Sequence, residues 1–308
     1  MNKSLPNAED LVVTILGCGK LGTAILTGFL KSHQTSNGES TSNDSGPKAH
    51  ARPLKHFIAC VRTEKSAARL KALFDAESSM VTILTGENLK GVQQANVIII
   101  GCEPSGYHEI LNSSGICEAV SGKTLISILG GVTVEMLTVA LYSRQPSTQI
   151  THPCNIIQVM PNIAVAICKS ITTITKPNPL QSSDAIEIAH SLFLRLGHVR
   201  TLPENFVDTA TVVTASSPAF FTVMLDAIAT EAERAGFSRT EALELSARAM
   251  SSAAELILHG EAPDGVCKKI ATTGGSTARG LKVLKDGNIL DLIGDAFRAT
   301  RHGQHSNC

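Results

Sequence analysis

The feature that most constrains the fold is a regular alternation of short apolar runs with helical stretches over the first two-thirds of the chain. Eight such runs are separated by loops and segments of helical spacing: LVVTILG, KHFIACV, MVTIL, ANVIII, KTLISIL, NIIQVM, SITTIT and HVRTL. Most of them lack apolar–polar alternation, so both strand faces must be covered, as in a parallel sheet between helices. The pattern predicts an α/β fold with a Rossmann-type, doubly wound, mostly parallel sheet.

The pattern changes near residue 203. Strand-like runs stop, and long helical stretches rich in Ala and Ser follow. One stretch has an apolar stripe at helical spacing, formed by Leu243, Ala247, Met250, Ala254 and Ile257. This tail would bury little surface by itself. We therefore place the sheet domain at residues 1–203 and expect residues 204–308 to form an all-α dimerisation domain.

Composition excludes several classes of protein. The 308 residues carry no formal net charge and no evident basic face, which argues against nucleic acid as a partner. No continuous apolar run reaches the roughly 20 residues that span a bilayer, so we expect no membrane partner. The segment MNKSLPNAED lacks an apolar signal core, so we expect a cytoplasmic protein. Residues 34–53, rich in Ser, Asn and Gly, are expected to form a flexible surface insertion.

The cysteines do not indicate a metal site. There are eight, none in a Cys-x-x-Cys pair and none with His or Cys partners at the spacing of a zinc site. Five of them, Cys18, Cys60, Cys102, Cys154 and Cys168, lie in or beside apolar runs. We interpret them as buried, reduced thiols.

The segment GCGKLG matches a dinucleotide-binding turn in its context as well as its spacing. It follows a strand and opens a helix, as this fingerprint requires. Gly17 allows the tight turn, Gly19 lets the backbone approach a pyrophosphate, and Gly22 lets the helix pack on the sheet. The helix that begins with Lys20 and Leu21 then directs N–H groups at the phosphates. The alternative is a glycine-rich turn without a ligand.

The end of the second strand indicates which nucleotide is bound. An NAD site usually has an acid there, which binds the ribose 2′-hydroxyl. Here Cys60 takes the expected position of the acid, and Arg62 and Thr63 follow. An arginine suits a 2′-phosphate, so we predict NADPH, with NADH as the alternative; Arg62 as a solvated surface charge is the other interpretation.

Three later motifs narrow the reaction. They are VMPNIAV at 159–165, DTATVVTASSPAFFTVMLDA at 208–227 and VCKKIATTGGSTARGLKVLKDG at 266–287. Together with LGCGKLG and SILGGVT, they resemble the pyrroline-5-carboxylate reductase family, its fungal members most of all. The resemblance covers nearly the whole chain apart from residues 34–53. It implies reduction of 1-pyrroline-5-carboxylate to L-proline, by hydride transfer to the C=N carbon of a cyclic imine that carries a carboxylate.

The resemblance also implies roles for the late glycine loop, TTGGST. Thr272, Gly274, Gly275 and Ser276 would bind the substrate carboxylate through an anion-binding turn before a helix. Thr277 would lie beside the ring nitrogen and orient the imine or relay its proton, and is the catalytic candidate. The plainer interpretation is a Thr-rich turn that caps a helix.

Other roles implied by the resemblance fall in the earlier motifs. Asn162 would contact the nicotinamide or the imine, Pro104 the nicotinamide ribose, and Ser216 the substrate. An Asx turn is the alternative for Asn162, and a helix cap for Ser216. In this family two helical tails interlock as a homodimer, so that one subunit's late loop completes the other's site. Dimers often assemble further into rings.

Several positions depart from the family pattern. Glu103 stands where a lysine is common, Ile163 replaces a threonine, and Thr230 replaces a second acid. The late loop has Thr272 and Thr273 in place of Ser-Pro. These changes leave three hypotheses: a proline-forming reductase, a paralogue that reduces another cyclic imine acid, and a cofactor-binding protein without turnover.

Overall fold

The computed structural model describes residues 10–36, 52–143, 152–176 and 182–303; residues 37–51, most of the predicted insertion, lie outside them. Within these ranges there are eight strands, and each predicted strand is present. They are β1 (Leu11–Leu16), β2 (Leu54–Val61), β3 (Val81–Thr85), β4 (Val97–Ile100), β5 (Thr124–Ser127), β6 (Asn155–Met160), β7 (Ser170–Thr175) and β8 (Gly197–Leu202).

The strands form one sheet in the order β3-β2-β1-β4-β5-β6-β7-β8. Neighbouring strands are parallel except for the antiparallel pair β6–β7. The chain winds outward from β1 to β3 and then returns to β4 beside β1. The carboxyl ends of β1 and β4 therefore form a topological switch point, where open α/β sheets bind ligands. The predicted doubly wound, mostly parallel sheet is confirmed.

Helices cover both faces of this sheet. In the first unit they are α1 (Lys20–Ser36), α2 (Glu64–Leu73), α3 (Asn88–Gln94), α4 (Tyr107–Leu111), α5 (Ile116–Ala119), α6 (Val134–Tyr142), α7 (Ser183–Leu194) and α8 (Val207–Thr211). One buried cluster joins the sheet to α1, α2 and α7, and a second joins it to α3–α6. In the first, Phe29 of α1 stacks on Phe57 of β2 at 5.7 Å between ring centroids. Coverage of both faces explains the continuously apolar strands.

Two helical segments differ from the sequence prediction. The pattern gives no helix at α3, which has only seven residues. The segment PSGYHEILNSSGICEAV, whose apolar spacing after Pro104 favours one helix, is divided into a 3-10 helix, Pro104–Gly106, followed by α4 and α5. Gly115 separates α4 from α5 because its φ of +82° is incompatible with a right-handed helix.

The second compact unit contains Ser216–His302. It is helical throughout, with α9 (Ser217–Arg234), α10 (Arg239–Leu258), α11 (Pro263–Ile270), α12 (Ser276–Asp286) and α13 (Ile289–Gly303). The division at Ala215 lies later than the predicted 203. The reason is that Val207 and Val212, in α8 and the turn after it, are buried in the first unit.

The run Glu204–Arg234 is long and apolar enough, by length and composition alone, to cross a membrane, and an 18-residue window within it has a mean hydropathy of 1.5. This finding does not overturn the prediction that no continuous apolar run spans a bilayer. The prediction rested on uninterrupted apolar runs, whereas this window tolerates isolated charges. The run is not a single α-helix, because it contains a 3-10 helix, α8, a π turn and α9.

Candidate functional site

The glycine turn lies at the sheet's switch point, directly after β1. Gly17 adopts a φ of +77°, and its N–H and that of Cys18 both donate to the Cys60 carbonyl oxygen, at 3.1 and 3.0 Å. The Gly19 N–H donates to the Gly17 carbonyl at 2.7 Å, and α1 begins at Lys20. The turn is thus held against β2, and the start of α1 is directed at the switch point.

The three glycines are required for different reasons. A Cβ at Gly17 would lie 2.5 Å from the Cys102 Cα, and one at Gly22 would lie 3.1 Å from the Ile15 Cγ2. At Gly19 the nearest atom to a Cβ would be the Gly17 oxygen at 3.9 Å. The protein itself therefore excludes a side chain at Gly17, while the space beside Gly19 is open. An open, exposed backbone at the start of a helix fits a pyrophosphate.

The charges around the turn also suit an anion. No acidic side chain lies in the first turn of α1. Burial raises the pKa of the Cys18 thiol to about 11 and that of Cys102 to about 11, so both stay neutral. Arg69 of α2 donates to the Cys18 carbonyl at 3.4 Å and to the Thr23 hydroxyl at 3.1 Å. Arg69 has no signal in the sequence, because its position on α2 does not indicate which turn it contacts.

The end of β2 corrects one interpretation. Cys60 is fully buried against Gly91, and burial raises its thiol pKa to about 12, so it does not occupy the position of a ribose-binding acid. The first exposed side chain is Arg62. Thr63 caps α2, its hydroxyl accepting from the Ser66 N–H at 3.2 Å. Arg62 and the first turn of α2 therefore remain available for a ribose phosphate.

Residues after β4 lie beside this turn. The Gly101 N–H donates to the Leu16 carbonyl at 2.9 Å, which joins the ends of β4 and β1. Glu103 is exposed and precedes the 3-10 helix that Pro104 begins. Pro104 is half-buried. The structure thus brings Gly17 and the segment containing Pro104 to one edge of the sheet.

Asn162 is held on all sides by protein groups. Its side-chain oxygen accepts from the Ala164 N–H at 3.0 Å, and its Nδ2 donates to the Thr214 carbonyl at 2.9 Å. Its backbone N–H donates to the Ser170 hydroxyl at 3.3 Å, and only 7% of the residue is exposed. The bond to Ala164 is the Asx turn foreseen as the alternative; the contact of Asn162 with nicotinamide or imine stays a prediction. Ser216 is half-buried and ends the π turn Val212–Ser216.

The late loop lies in the second unit and precedes α12. Gly274 has a φ of +74°, and the Gly275 N–H donates to the Thr272 carbonyl at 2.9 Å. A Cβ at Gly275 would lie 2.6 Å from the Thr272 hydroxyl oxygen. Gly275 is the N-cap of α12, and no side chain caps this end of the helix. Exposed hydroxyls of Thr272, Ser276 and Thr277 surround these N–H groups, an arrangement suited to a carboxylate.

The departure at Thr230 has a local explanation. Arg239 of α10 pairs with Asp226 of α9 and donates to the Thr230 hydroxyl at 3.3 Å. It also lies 3.7 Å from Glu233. The hydroxyl at Thr230 thus belongs to the α9–α10 contact within the second unit.

Among the described residues no group of three or more His, Cys, Asp and Glu side chains is placed to hold a metal ion.

Comparison with known proteins identifies both parts of the chain. A family model described as pyrroline-5-carboxylate reductase dimerisation matches residues 204–306. Another, described as NADP oxidoreductase, coenzyme F420-dependent, matches residues 12–131. The first model begins close to the predicted boundary at 203.

Relatives and solved structures extend the similarity to nearly the full length. A pyrroline-5-carboxylate reductase from Lophium arboricola is 34% identical over 97% of this chain and 93% of its own. That of Schizosaccharomyces pombe is 32% identical over 91% and 93%. The structure of Plasmodium falciparum pyrroline carboxylate reductase with NADP bound has the same fold, with a TM-score of 0.76, 19% identity, and coverage of 97% of this chain and 98% of that one. The chain belongs to the pyrroline-5-carboxylate reductase family.

Proposed function

We propose that this protein reduces 1-pyrroline-5-carboxylate to L-proline with NADPH. The observation that carries the proposal is the 34% identity to a reductase of that name over 97% of the chain. The dinucleotide turn at the switch point of the sheet supports it, because a reductase of this kind needs a bound cofactor. NADPH supplies the hydride that the imine carbon receives.

The first unit supplies the cofactor site in this proposal. Gly17, Gly19 and the first N–H groups of α1, at Lys20, Leu21 and Gly22, bind the pyrophosphate. Arg62 and the first turn of α2, which Thr63 caps, bind the ribose 2′-phosphate and favour NADPH over NADH. Arg69 holds the turn from the side and adds positive charge. Pro104 borders the nicotinamide ribose.

The late loop supplies the substrate site. The free N–H groups at the start of α12 and the hydroxyls of Thr272 and Ser276 bind the carboxylate of the imine. Thr277 donates its hydroxyl proton toward the ring nitrogen, which must carry a proton when the imine carbon accepts hydride. Following the family pattern, the loop completes the site of a second subunit in a homodimer, which can assemble further into rings. We also propose a reducing, cytoplasmic location, in keeping with the seven free cysteines of the described residues.

The experiment that tests the function is a panel of cyclic imine acids. Purified protein is mixed with NADPH and pyrroline-5-carboxylate, and oxidation of NADPH is followed with formation of proline. Turnover at ordinary enzyme rates, about 1–1,000 per second, supports the proposal. Turnover restricted to a piperideine or a substituted pyrroline acid contradicts it in favour of a paralogue. NADPH binding without turnover on any member contradicts it in favour of a non-catalytic protein.

A pair of loop variants tests the site. We expect Thr277→Ala to lower kcat about 100-fold, within the range of a general acid, while NADPH affinity is unchanged. Thr273→Ala, in the same exposed loop but outside the proposed site, is the matched control and retains turnover. Wild-type kcat in Thr277→Ala would exclude the proposed role of this hydroxyl.

A further inference from the structure

The long helical run of residues 207–234 contains a break with a specific cause. Pro218 lies in the first turn of α9 and has no N–H. In a continuous α-helix that N–H would bind the carbonyl four residues earlier, which belongs to Thr214. The proline ring also clashes with a carbonyl at that position. The chain forms the π turn Val212–Ser216 at this place.

Asn162 supplies a donor for that carbonyl. Its Nδ2 donates to the Thr214 oxygen at 2.9 Å across 52 residues of sequence. The direction of the amide is fixed, because its oxygen accepts from the Ala164 N–H at 3.0 Å. Reversing the amide would place oxygen against oxygen and N–H against N–H. One hydrogen bond thus joins the Met-Pro-Asn motif to Thr214, in the π turn that leads into the Ser-Ser-Pro motif.

This bond fixes the position of a turn rather than of a single atom. Asn162 is 7% exposed, and its backbone N–H also donates to Ser170 of β7. Asn162, two residues after the end of β6, is therefore hydrogen-bonded both to β7 and to the π turn, and it fixes the position of the turn relative to the sheet. The turn ends at Ser216, whose hydroxyl is a candidate for substrate contact. Val212 is fully buried in the same turn, so the turn is held at two points.

We infer that Asn162 is a positioning residue: it replaces the helix donor that Pro218 lacks and thereby holds the turn that carries Ser216. The inference rests on the proposed function for its effect on turnover. It differs from a direct contact between Asn162 and the nicotinamide, which would act on cofactor affinity.

The test is a double-mutant cycle of Asn162→Asp and Pro218→Ala. Aspartate has the same shape and can still accept from Ala164, but it sets an oxygen against the Thr214 carbonyl. Pro218→Ala restores a backbone N–H four residues after Thr214. We expect Asn162→Asp to lower kcat/KM for pyrroline-5-carboxylate about 10-fold or more at saturating NADPH, with the Kd of NADPH within about 2-fold of wild type. In the Pro218→Ala background the same change has a smaller effect.

One further readout, the melting temperature, separates the outcomes. The melting temperature of all four proteins is measured with NADPH bound, and its non-additivity reports the coupling whether or not the protein turns over. Coupling in melting temperature without any pyrroline-5-carboxylate turnover in the wild type supports the link between Asn162 and Pro218 and overturns the proposed function alone. Additive effects overturn the inference, as does a large loss of NADPH affinity in Asn162→Asp. A lower melting temperature with kcat/KM unchanged also overturns it, because Asn162 then serves only folding.

Discussion

At the scale of single residues, Gly17 and Gly19 differ in purpose: the first is required for folding of the turn, and the second is required for binding. Gly17 has a positive φ and lies so close to the Cys102 backbone that a Cβ would overlap it. A side chain at this position would therefore distort the folded protein. Gly19 has no such contact, with 3.9 Å to the nearest atom. The reason for a glycine at this second position must therefore come from something that the protein binds.

We predict that Gly19→Ala weakens NADPH binding by about 10-fold or more and leaves the melting temperature unchanged, because its methyl group occupies space needed only by the pyrophosphate. Gly17→Ala should lower the melting temperature as well as binding. Binding is measured by fluorescence titration and stability by thermal unfolding. Gly265→Ala in α11, where an added Cβ would have no atom within 4 Å, is the control for adding a methyl group. Wild-type NADPH affinity in Gly19→Ala would contradict a pyrophosphate at this turn.

The residue scale also shows the limit of sequence reasoning. The roles of Gly17, Gly19 and Gly22 follow from spacing, because each acts within one strand–turn–helix unit. Arg69, which contacts the turn across 51 residues of sequence, depends on how α2 packs and has no local signal. The prediction that Cys60 occupies the position of a ribose-binding acid failed for a related reason. The face of β2 on which this side chain lies depends on the register with β1 and β3.

At the scale of elements, α1 packs unusually close to the 3-10 helix Ile163–Ile167. A Cβ at Gly28 would overlap the Val165 carbonyl oxygen and lie 2.8 Å from the Leu196 Cδ2. The Cys168 thiol also donates to the Gly28 carbonyl at 3.5 Å. The helix that begins at the glycine turn is thereby fixed against the segment that Asn162 caps. The position of α1 thus depends on a close backbone contact at Gly28 as well as on the glycine turn at its start.

We predict that Gly28→Ala destabilises the protein by about 1–3 kcal/mol or more, because a backbone atom must move to accommodate the methyl group. Thr27→Ala, the preceding residue of the same helix, removes only a hydroxyl bonded to the Thr23 carbonyl and should change stability by less than about 1 kcal/mol. Urea unfolding of both variants measures the difference. Equal stabilities would show that α1 can shift without cost.

The order of elements was accessible from the apolar pattern of the sequence, while two details of their geometry were not. The antiparallel pair β6–β7 follows from a connection of residues 161–169, which is too short for a parallel crossover of about a dozen residues. Strand spacing alone contains this information, though apolar patterning does not. The π turn at Val212–Ser216 depends on Pro218 together with a distant donor, Asn162, so a local pattern cannot reveal it.

At the scale of the whole molecule, the second unit has little core of its own. Ala229, Ala242, Ser246 and Val266 are the side chains buried in it among the described residues. Large apolar side chains are exposed on every one of its helices and, at Phe237, between α9 and α10. Those on the helices are Phe221, Val223, Met224, Ile228, Leu245, Leu256, Ile257, Leu258, Ile270, Val283, Leu284, Leu290, Leu292 and Ile293. An apolar surface of this extent on a single chain indicates an interface. The match of residues 204–306 to a dimerisation model supports the proposal that a second copy of this chain covers this surface.

We predict that the protein is a homodimer or a larger symmetric assembly and that Val283→Asp with Leu290→Asp dissociates it. These two side chains are 70% and 80% exposed in one chain, and each is expected to contribute about 1.5–3 kcal/mol when buried. Because a two-fold interface repeats every contact, the double variant removes four such groups and should weaken association by at least about 100-fold. Light scattering after size exclusion measures the mass, and the pyrroline-5-carboxylate assay measures turnover on the same samples.

The control for this variant is Val139→Asp on α6 of the first unit, where the side chain is 57% exposed. It introduces the same charge on an exposed valine, and we expect it to change neither mass nor turnover. If the late loop of one subunit completes the site of another, the dissociated variant loses turnover yet still binds NADPH, because the dinucleotide turn lies entirely in the first unit. A monomer that retains wild-type kcat would show that each chain forms its own complete site. An unchanged mass for the double variant would show that the interface lies elsewhere.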